Sequence, residues 1–504
     1  MTRTINSLRN IKYTLAGRIV SLILSFVSRT VFINYLGVEY LGLNGLFTNV
    51  LSILSLAELG IGSAIAYSIY EPLARGEENR LKSLMQIYRK AYNAIGVWMF
   101  ASGVLLMPFI DFFIKDMPDI REISIIYILF VINSSITYFI SYKRALIIAD
   151  QNKYIDSLYL YGSQILLNVV QIITLILYKN YVLFLLLKVI ATVLENVLIS
   201  IKADKMYPYL KDTKVEKLDR EDKSKIVKNI KAMFLHRVGG IVVMGTDNLL
   251  ISKFVGISYV GIYSNYLLIV NTLNMLIDIL FQSVTASIGN LGVTSDKKRI
   301  NDIFDSIDFI GYWVYCFTSI TFFILINPFI SIWLGNEFLF SPLIVLMITI
   351  NLYIQGLRKS VLTFRDALGL FWYDRYKPII ESAINLIASI YFAINLGVLG
   401  ILLGTVVSTL TTATWIEPYV LYKNGLKNPV IDYFKKYIKR FILTILIGGV
   451  TWFFCSLVLE NPLPGFLIKM IICTIIPNVI LIVIYHRTSE FKFVLQKAKY
   501  FLKR

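Results

Sequence analysis

Two arginines, Arg18 and Arg29, stand eleven residues apart in a run that is otherwise apolar. A charge at the centre of a bilayer costs at least ~2.5–3.5 kcal/mol, so such residues face the protein interior, water or a partner. At ~100° per residue, eleven positions return to one helix face, with the two groups ~16 Å apart along the axis. Neither can neutralise the other. Two readings stay open: a column of positive charge lining a cavity, or two side chains that snorkel to opposite interfaces.

The next apolar stretch carries Asn44, Thr48, Ser52, Ser55 and Glu58 at spacings of three and four, a single polar stripe on a helix. A later stretch carries Asn271, Asn274, Asp278, Gln282 and Thr285 in the same style. Polar residues can bind membrane helices together. The acids are costly as glue alone, which favours a shared hydrophilic cavity. Asp247 lies eleven residues after His236, again on one face. Glu58, Asp247 and Asp278 are candidates to bind a proton or sodium ion, with a static pairing to Arg237 or Arg18 equally open for Asp247. Lys188 and Glu195, seven apart, form a buried pair or line a path. Lys143, Arg144, Arg358, Lys359 and Arg365 stand near inner helix ends, where positive anchors belong.

These stripes belong to a repeated frame. A shift of 219 positions places Asn10-Ile11-Lys12 on Asn229-Ile230-Lys231 and Arg18 on Arg237. The same shift places the turn residues Gly37, Tyr40 and Gly42 on Gly256, Tyr259 and Gly261. Arg29 falls on Asn248, so the charge itself is not duplicated throughout. Repeated halves with an ionisable residue at matching depth are a transporter pattern.

The composition supports that frame. Of 504 residues, 57% are hydrophobic and only 16% charged. Apolar runs long enough for a bilayer-crossing helix recur from end to end. The segmentation gives about fourteen transmembrane helices and an all-α integral membrane protein. About 41 of the 50 lysines and arginines fall on one side of it and about 5 on the other. That asymmetry puts both termini in the cytoplasm and explains the net charge of +18 without nucleic acid as a partner. Six spans per repeat give two parallel six-helix lobes, related by an axis along the membrane normal. The expected divisions are residues 1–205 for the first lobe, 206–231 for a basic cytoplasmic linker and 232–424 for the second lobe. Residues 425–504 hold two further helices and a basic tail.

Enzyme signatures are missing from the sequence. There is no P-loop or Walker lysine, so transport is not driven by ATP through this chain. The outward loops are under about fifteen residues, short for holding the substrate of a membrane-embedded sugar transferase or polymerase. Cys316, Cys455 and Cys473 lie in separate apolar runs, which suits core packing. With only His236 and His486, no zinc spacing exists and no metal or other cofactor is expected.

The start Asn10-Ile11-Lys12 with Arg18, the Tyr35-to-Leu43 turn and the Leu56-Ala57-Glu58-Leu59-Gly60-Ile61-Gly62 run resemble bacterial polysaccharide repeat-unit flippases. These belong to the multidrug/oligosaccharidyl-lipid/polysaccharide exporter superfamily. The resemblance covers the whole chain. It implies a plasma-membrane flippase that moves an undecaprenyl pyrophosphate-linked oligosaccharide from the inner to the outer leaflet, for cell-surface polysaccharide biosynthesis. It further implies alternating access around a cationic central cavity, with other polysaccharide-assembly proteins and membrane lipids as partners. Arg18, Arg29 and Arg237 would then meet the pyrophosphate. Asn44, Thr48, Ser52, Asn271, Asn274 and Gln282 would meet sugar hydroxyls. A drug or ion antiporter of the same superfamily is the nearest alternative, ahead of a sugar transferase or polymerase.

Overall fold

The computed structural model describes residues 2–58, 61–120, 122–211, 224, 227, 245–294, 297–459 and 462–502. The described residues are helical almost throughout and contain no strand. Eleven of their helices are long and apolar enough to cross a membrane. The other three expected spans have physical explanations. The second is broken in two, and the seventh shows only its end, residues 245–254. The tenth, Pro342–Ala367, has full length but carries Arg358, Lys359, Arg365 and Asp366.

The chain divides into two compact units, Met1–Gly261 and Ile262–Arg504. Most of the expected linker, 206–231, and its junction with the second lobe at 231/232 lie outside the described residues. The first unit contains α1 (Thr2–Leu36), α2 (Val38–Leu54), α3 (Ile61–Arg75), α4 (Glu78–Leu106), α5 (Ile123–Ser141), α6 (Arg144–Ala149), α7 (Lys153–Tyr178) and α8 (Tyr181–Met206). Gly37 separates α1 from α2 at φ 90°, a left-handed conformation that costs glycine nothing. α2 buries Leu43, Leu46, Phe47 and Leu51 on one face, which leaves its Thr48 and Ser52 to the other side.

The sequence suggested one long span over 42–70. Instead α2 tightens into a 3-10 turn at Ser55–Glu58. The Ser55 hydroxyl donates to the Ser52 carbonyl at 2.6 Å, a local bond that competes with the helical ladder. Broken helices in membrane proteins are tolerated where they line a cavity or are buried in protein. Here the turn aims Glu58 sideways toward α4 and α5.

Gly42 and Gly261, matched by the duplication, sit at a close backbone approach. A Cβ on Gly42 would strike the Ile257 carbonyl, and one on Gly261 would strike the Val38 carbonyl. Small residues let membrane helices come this near.

The second unit holds most of α9 (Ile257–Thr294), with α10 (Lys297–Trp333), α11 (Pro342–Ala367), α12 (Lys377–Leu396), α13 (Val398–Thr411), α14 (Ala413–Val420), α15 (Ile431–Ser456), α16 (Pro462–Tyr485) and α17 (Ser489–Leu502). α12 and α13 form a tight hairpin at Gly397, where φ is 55°. α15 and α16, the two helices beyond the duplication, pack on α10 around Cys316, Ile320, Ile447 and Leu481. An Arg440–Asp308 ion pair fastens α15 to α10, and Ser360 of α11 donates to the same aspartate at 2.6 Å. All three cysteines are buried and unbridged, as core packing requires.

Candidate functional site

A cavity of about 420 Å3 opens inside the first unit between α2, α4, α5 and α8. α2 and its terminal 3-10 turn supply Thr48, Ser52, Ser55 and Glu58. Asn133, Ser134, Thr137 and Ser141 come from α5, Tyr92 from α4 and Lys188 from α8. Five residues singled out in the sequence, Thr48, Ser52, Ser55, Glu58 and Lys188, therefore share one chamber. Asn44 lies on the same helix but is not part of its lining.

Glu58 is held at both oxygens. Tyr92 donates its hydroxyl to Oε1 at 2.7 Å, and Tyr138 donates to Oε2 at 3.0 Å. Tyr88 donates in turn to Tyr92 at 3.2 Å. The rings of Tyr88 and Tyr92 meet edge to face at 4.5 Å, and those of Tyr92 and Tyr138 at 5.6 Å. Gly62 makes room for this cluster, because a Cβ there would run into the Tyr92 hydroxyl. The phenols were not singled out in the sequence. Their spacing on α4 shows that Tyr88 and Tyr92 share a face, but not that Glu58 sits across from it.

Lys188 lies 5.2 Å from the centroid of the Phe130 ring. Among the described residues it has no carboxylate within 4.0 Å. Of the two readings for Lys188 and Glu195, the pair does not form, since Glu195 accepts from Arg144, while Lys188 lines the cavity. Arg144 also reaches Asp156 at 3.0 Å. The other basic residues read as interfacial anchors are likewise paired. Lys143 binds Asp204 at 2.7 Å, Lys359 binds Asp278 at 2.6 Å and Arg365 binds Asp374 at 2.5 Å. Arg358 meets Glu417 at 2.7 Å. Arg365 also pairs with its neighbour Asp366, but the partners named above are nine to eighty-one residues away in the chain, beyond the reach of helical periodicity.

Arg18 lies in a different place from the chamber lining. α1 and α7 run parallel with a constant offset of 143 residues. Along this seam Thr14 bonds Ser157 at 2.8 Å, Arg18 Nε donates to the Tyr161 hydroxyl at 3.0 Å, and Ser21 donates to Gln164 at 3.0 Å. The terminal guanidinium nitrogens of Arg18 make no hydrogen bond to any described residue. Arg29 is half-buried on the same helix, and Asp247 is half-buried in the segment 245–254. Arg237 lies outside the described residues.

In the second unit the polar stripe of α9 is more dispersed. Asn271 and Gln282 are exposed, Asn274 accepts from the Tyr315 hydroxyl at 3.3 Å, and Asp278 is the partner of Lys359. A buried charge cluster there was not anticipated. Glu417 accepts from Arg358 Nε at 2.9 Å and from Lys377 Nζ at 2.6 Å, and Lys377 also reaches Glu381 at 3.1 Å. The sequence signal for it was slight: the i,i+4 pair Lys377/Glu381, and one acid inside an apolar run.

No protein-family model matches the sequence, and no curated protein matches it. Solved structures do match in fold. The Lipid II flippase MurJ in its inward closed conformation aligns over 94% of this chain and 98% of its own, with a TM-score of 0.66 and 16% identity. A multidrug resistance MATE family transporter of the MOP superfamily, in its inward-facing conformation, aligns over 82% and 99%, with a TM-score of 0.55 and 14% identity. The Vibrio cholerae MATE transporter VcmN in its bent form aligns over 84% and 98%, at 0.54 and 13%. These likenesses define the fold: a multi-pass helical membrane protein built like known transporters and flippases.

Proposed function

We propose that this chain is a flippase of the MOP superfamily that moves an isoprenoid pyrophosphate-linked oligosaccharide from the inner to the outer leaflet by alternating access. In this reading it serves cell-surface polysaccharide assembly in a bacterial plasma membrane. The observation that carries the reading is the chamber in the first unit, whose polar lining is mostly hydroxyl and amide and so suits sugar hydroxyls. The near-complete alignment with a Lipid II flippase supports it. Arg18 and Arg29 take the pyrophosphate, and Arg237 joins them from the duplicated position. Asn44 in the first unit, and Asn271, Asn274 and Gln282 in the second, are further candidates for sugar contacts outside this chamber, and the lipid tail stays in the bilayer. Deletion of the gene should leave lipid-linked oligosaccharide on the inner leaflet. Unpolymerised units displayed outside the cell would instead mark a polymerase. Both termini are cytoplasmic, so a cysteine placed at Lys217 should react with impermeant reagent only from inside.

The second reading, a drug or ion antiporter, draws on the MATE likeness and on Glu58. A carboxyl clamped by two phenols at a cavity wall can exchange a proton or sodium ion as the chamber opens and closes. Glu58→Gln is expected to remove the dependence of transport on an imposed ion gradient, more than Asp278→Asn, whose aspartate is already paired with Lys359. Asp247→Asn is the third arm of the comparison. Transport in vesicles that ignores both proton and sodium gradients would end the coupling assignment for all three.

A further inference from the structure

We infer that the chamber around Lys188 is a subsite for an acidic sugar unit, one carrying a carboxylate or a phosphate beside its hydroxyls. The inference rests on the flippase reading and names the chemistry of the cargo. Two charged side chains line the cavity, and they differ in what they lack. Glu58 has a hydroxyl donor on each oxygen. Lys188 has an aromatic face and no carboxylate. Glu195, the acid seven residues further along the same helix, is committed to Arg144. The unmet electrostatic demand of the chamber is therefore for an anion, and an ammonium is a compact point charge that serves carboxylate or phosphate equally.

The hydroxyls add the second half of the chemistry. Serines and threonines in these helices commonly bond the carbonyl four residues back, as Thr30, Thr174 and Thr272 do. Thr48, Ser52, Ser134 and Ser141 line the cavity, and their hydroxyls make no such bond to any described residue. They come from two helices, α2 and α5, on either side of the chamber. A ligand that satisfies them carries several hydroxyls, and one that also satisfies Lys188 carries a negative charge. The chamber volume of about 420 Å3 lies within the ~300–1,000 Å3 of small-ligand sites. Charge-assisted hydrogen bonds are roughly twice as strong as neutral ones, so the lysine decides between acidic and neutral sugars.

Saturation-transfer NMR on the purified full-length protein tests this with four probes: glucuronate, glucose 6-phosphate, glucose and inorganic phosphate. Saturable binding of glucuronate or glucose 6-phosphate is expected, with the favoured one identifying the anion. The favoured acidic sugar should bind more tightly than glucose and inorganic phosphate. Lys188→Gln should weaken the acidic sugar about tenfold or more, the loss of one charge-assisted contact. Lys188→Arg, which keeps the charge, should retain binding within about threefold. Equal binding of glucose, unchanged acidic-sugar binding by Lys188→Gln, or the absence of saturable binding by both acidic sugars would overturn the assignment. Failure of the flippase reading shows separately, as the absence of lipid-linked oligosaccharide movement across a bilayer.

Discussion

Glu417→Leu should lower the stability of the second unit by about 3–5 kcal/mol, because it leaves two buried cations without their shared acid. Glu417 has no exposed surface and accepts from Arg358 at 2.9 and 2.7 Å and from Lys377 at 2.6 Å. Lys377 and Glu381 are 7% and 5% exposed, so water cannot take over the solvation. Glu381 stays 3.1 Å from Lys377 but is 3.6 Å from Arg358, so the arginine loses its close acid partner. The cluster joins α11, α12 and α14, and its loss loosens all three. Replacing the pair together, Arg358→Met with Glu417→Leu, should recover part of the loss, since a buried ion pair adds little over a packed apolar one. The contrast is Asp432→Asn, which removes an ion pair whose side chains are 65% and 73% exposed and should change stability by under about 0.5 kcal/mol. Thermal unfolding of the detergent-purified variants reads all three. A melting curve for Glu417→Leu that overlays the parent would contradict the cluster's structural role.

Arg18→Ala should reduce flipping about 10- to 100-fold at unchanged membrane abundance, the range for one lost hydrogen bond to a charged group. Arg18 Nε is anchored on the Tyr161 hydroxyl, while the two terminal nitrogens make no bond within the described protein. An arginine fixed at one nitrogen presents its fork in a set direction, which suits the paired oxygens of a pyrophosphate. Arg18→Lys keeps charge but loses the fork, so its flipping should fall between the parent and the alanine variant. Tyr161→Phe removes the anchor alone and should have a smaller effect than Arg18→Ala. A purely interfacial role predicts that lysine serves as well as arginine.

Much of the architecture was legible because a bilayer imposes length on apolar runs. The eleven clear spans fall where apolar runs predicted them. The stripe on α2 was legible through Thr48 and Ser52, since helical spacing fixes a shared face. Its continuation through Ser55 to Glu58 reaches the same chamber, but not on an unbroken helix. Glu58 keeps the spacing in sequence but sits in a 3-10 turn, where the Ser55–Ser52 bond tightens the chain and Tyr92 and Tyr138 hold the carboxylate. Ion pairs were the least legible feature. Periodicity put Lys188 and Glu195 on one face, but seven residues separate them by ~10 Å along the axis, and Arg144 is nearer to the acid. The Arg358–Glu417 contact spans 59 residues and depends on how α11 and α14 pack.

The most direct measurement is movement of a fluorescent pyrophosphate-linked oligosaccharide across the bilayer of vesicles that contain only this protein. Parent protein should give time-dependent transfer, scored by the fraction that becomes accessible to a membrane-impermeant quencher. Arg18→Ala vesicles with equal protein content should show transfer reduced about 10- to 100-fold. Accumulation of a cationic drug by the same vesicles, with the lipid-linked oligosaccharide no more mobile than in protein-free vesicles, would contradict the flippase account.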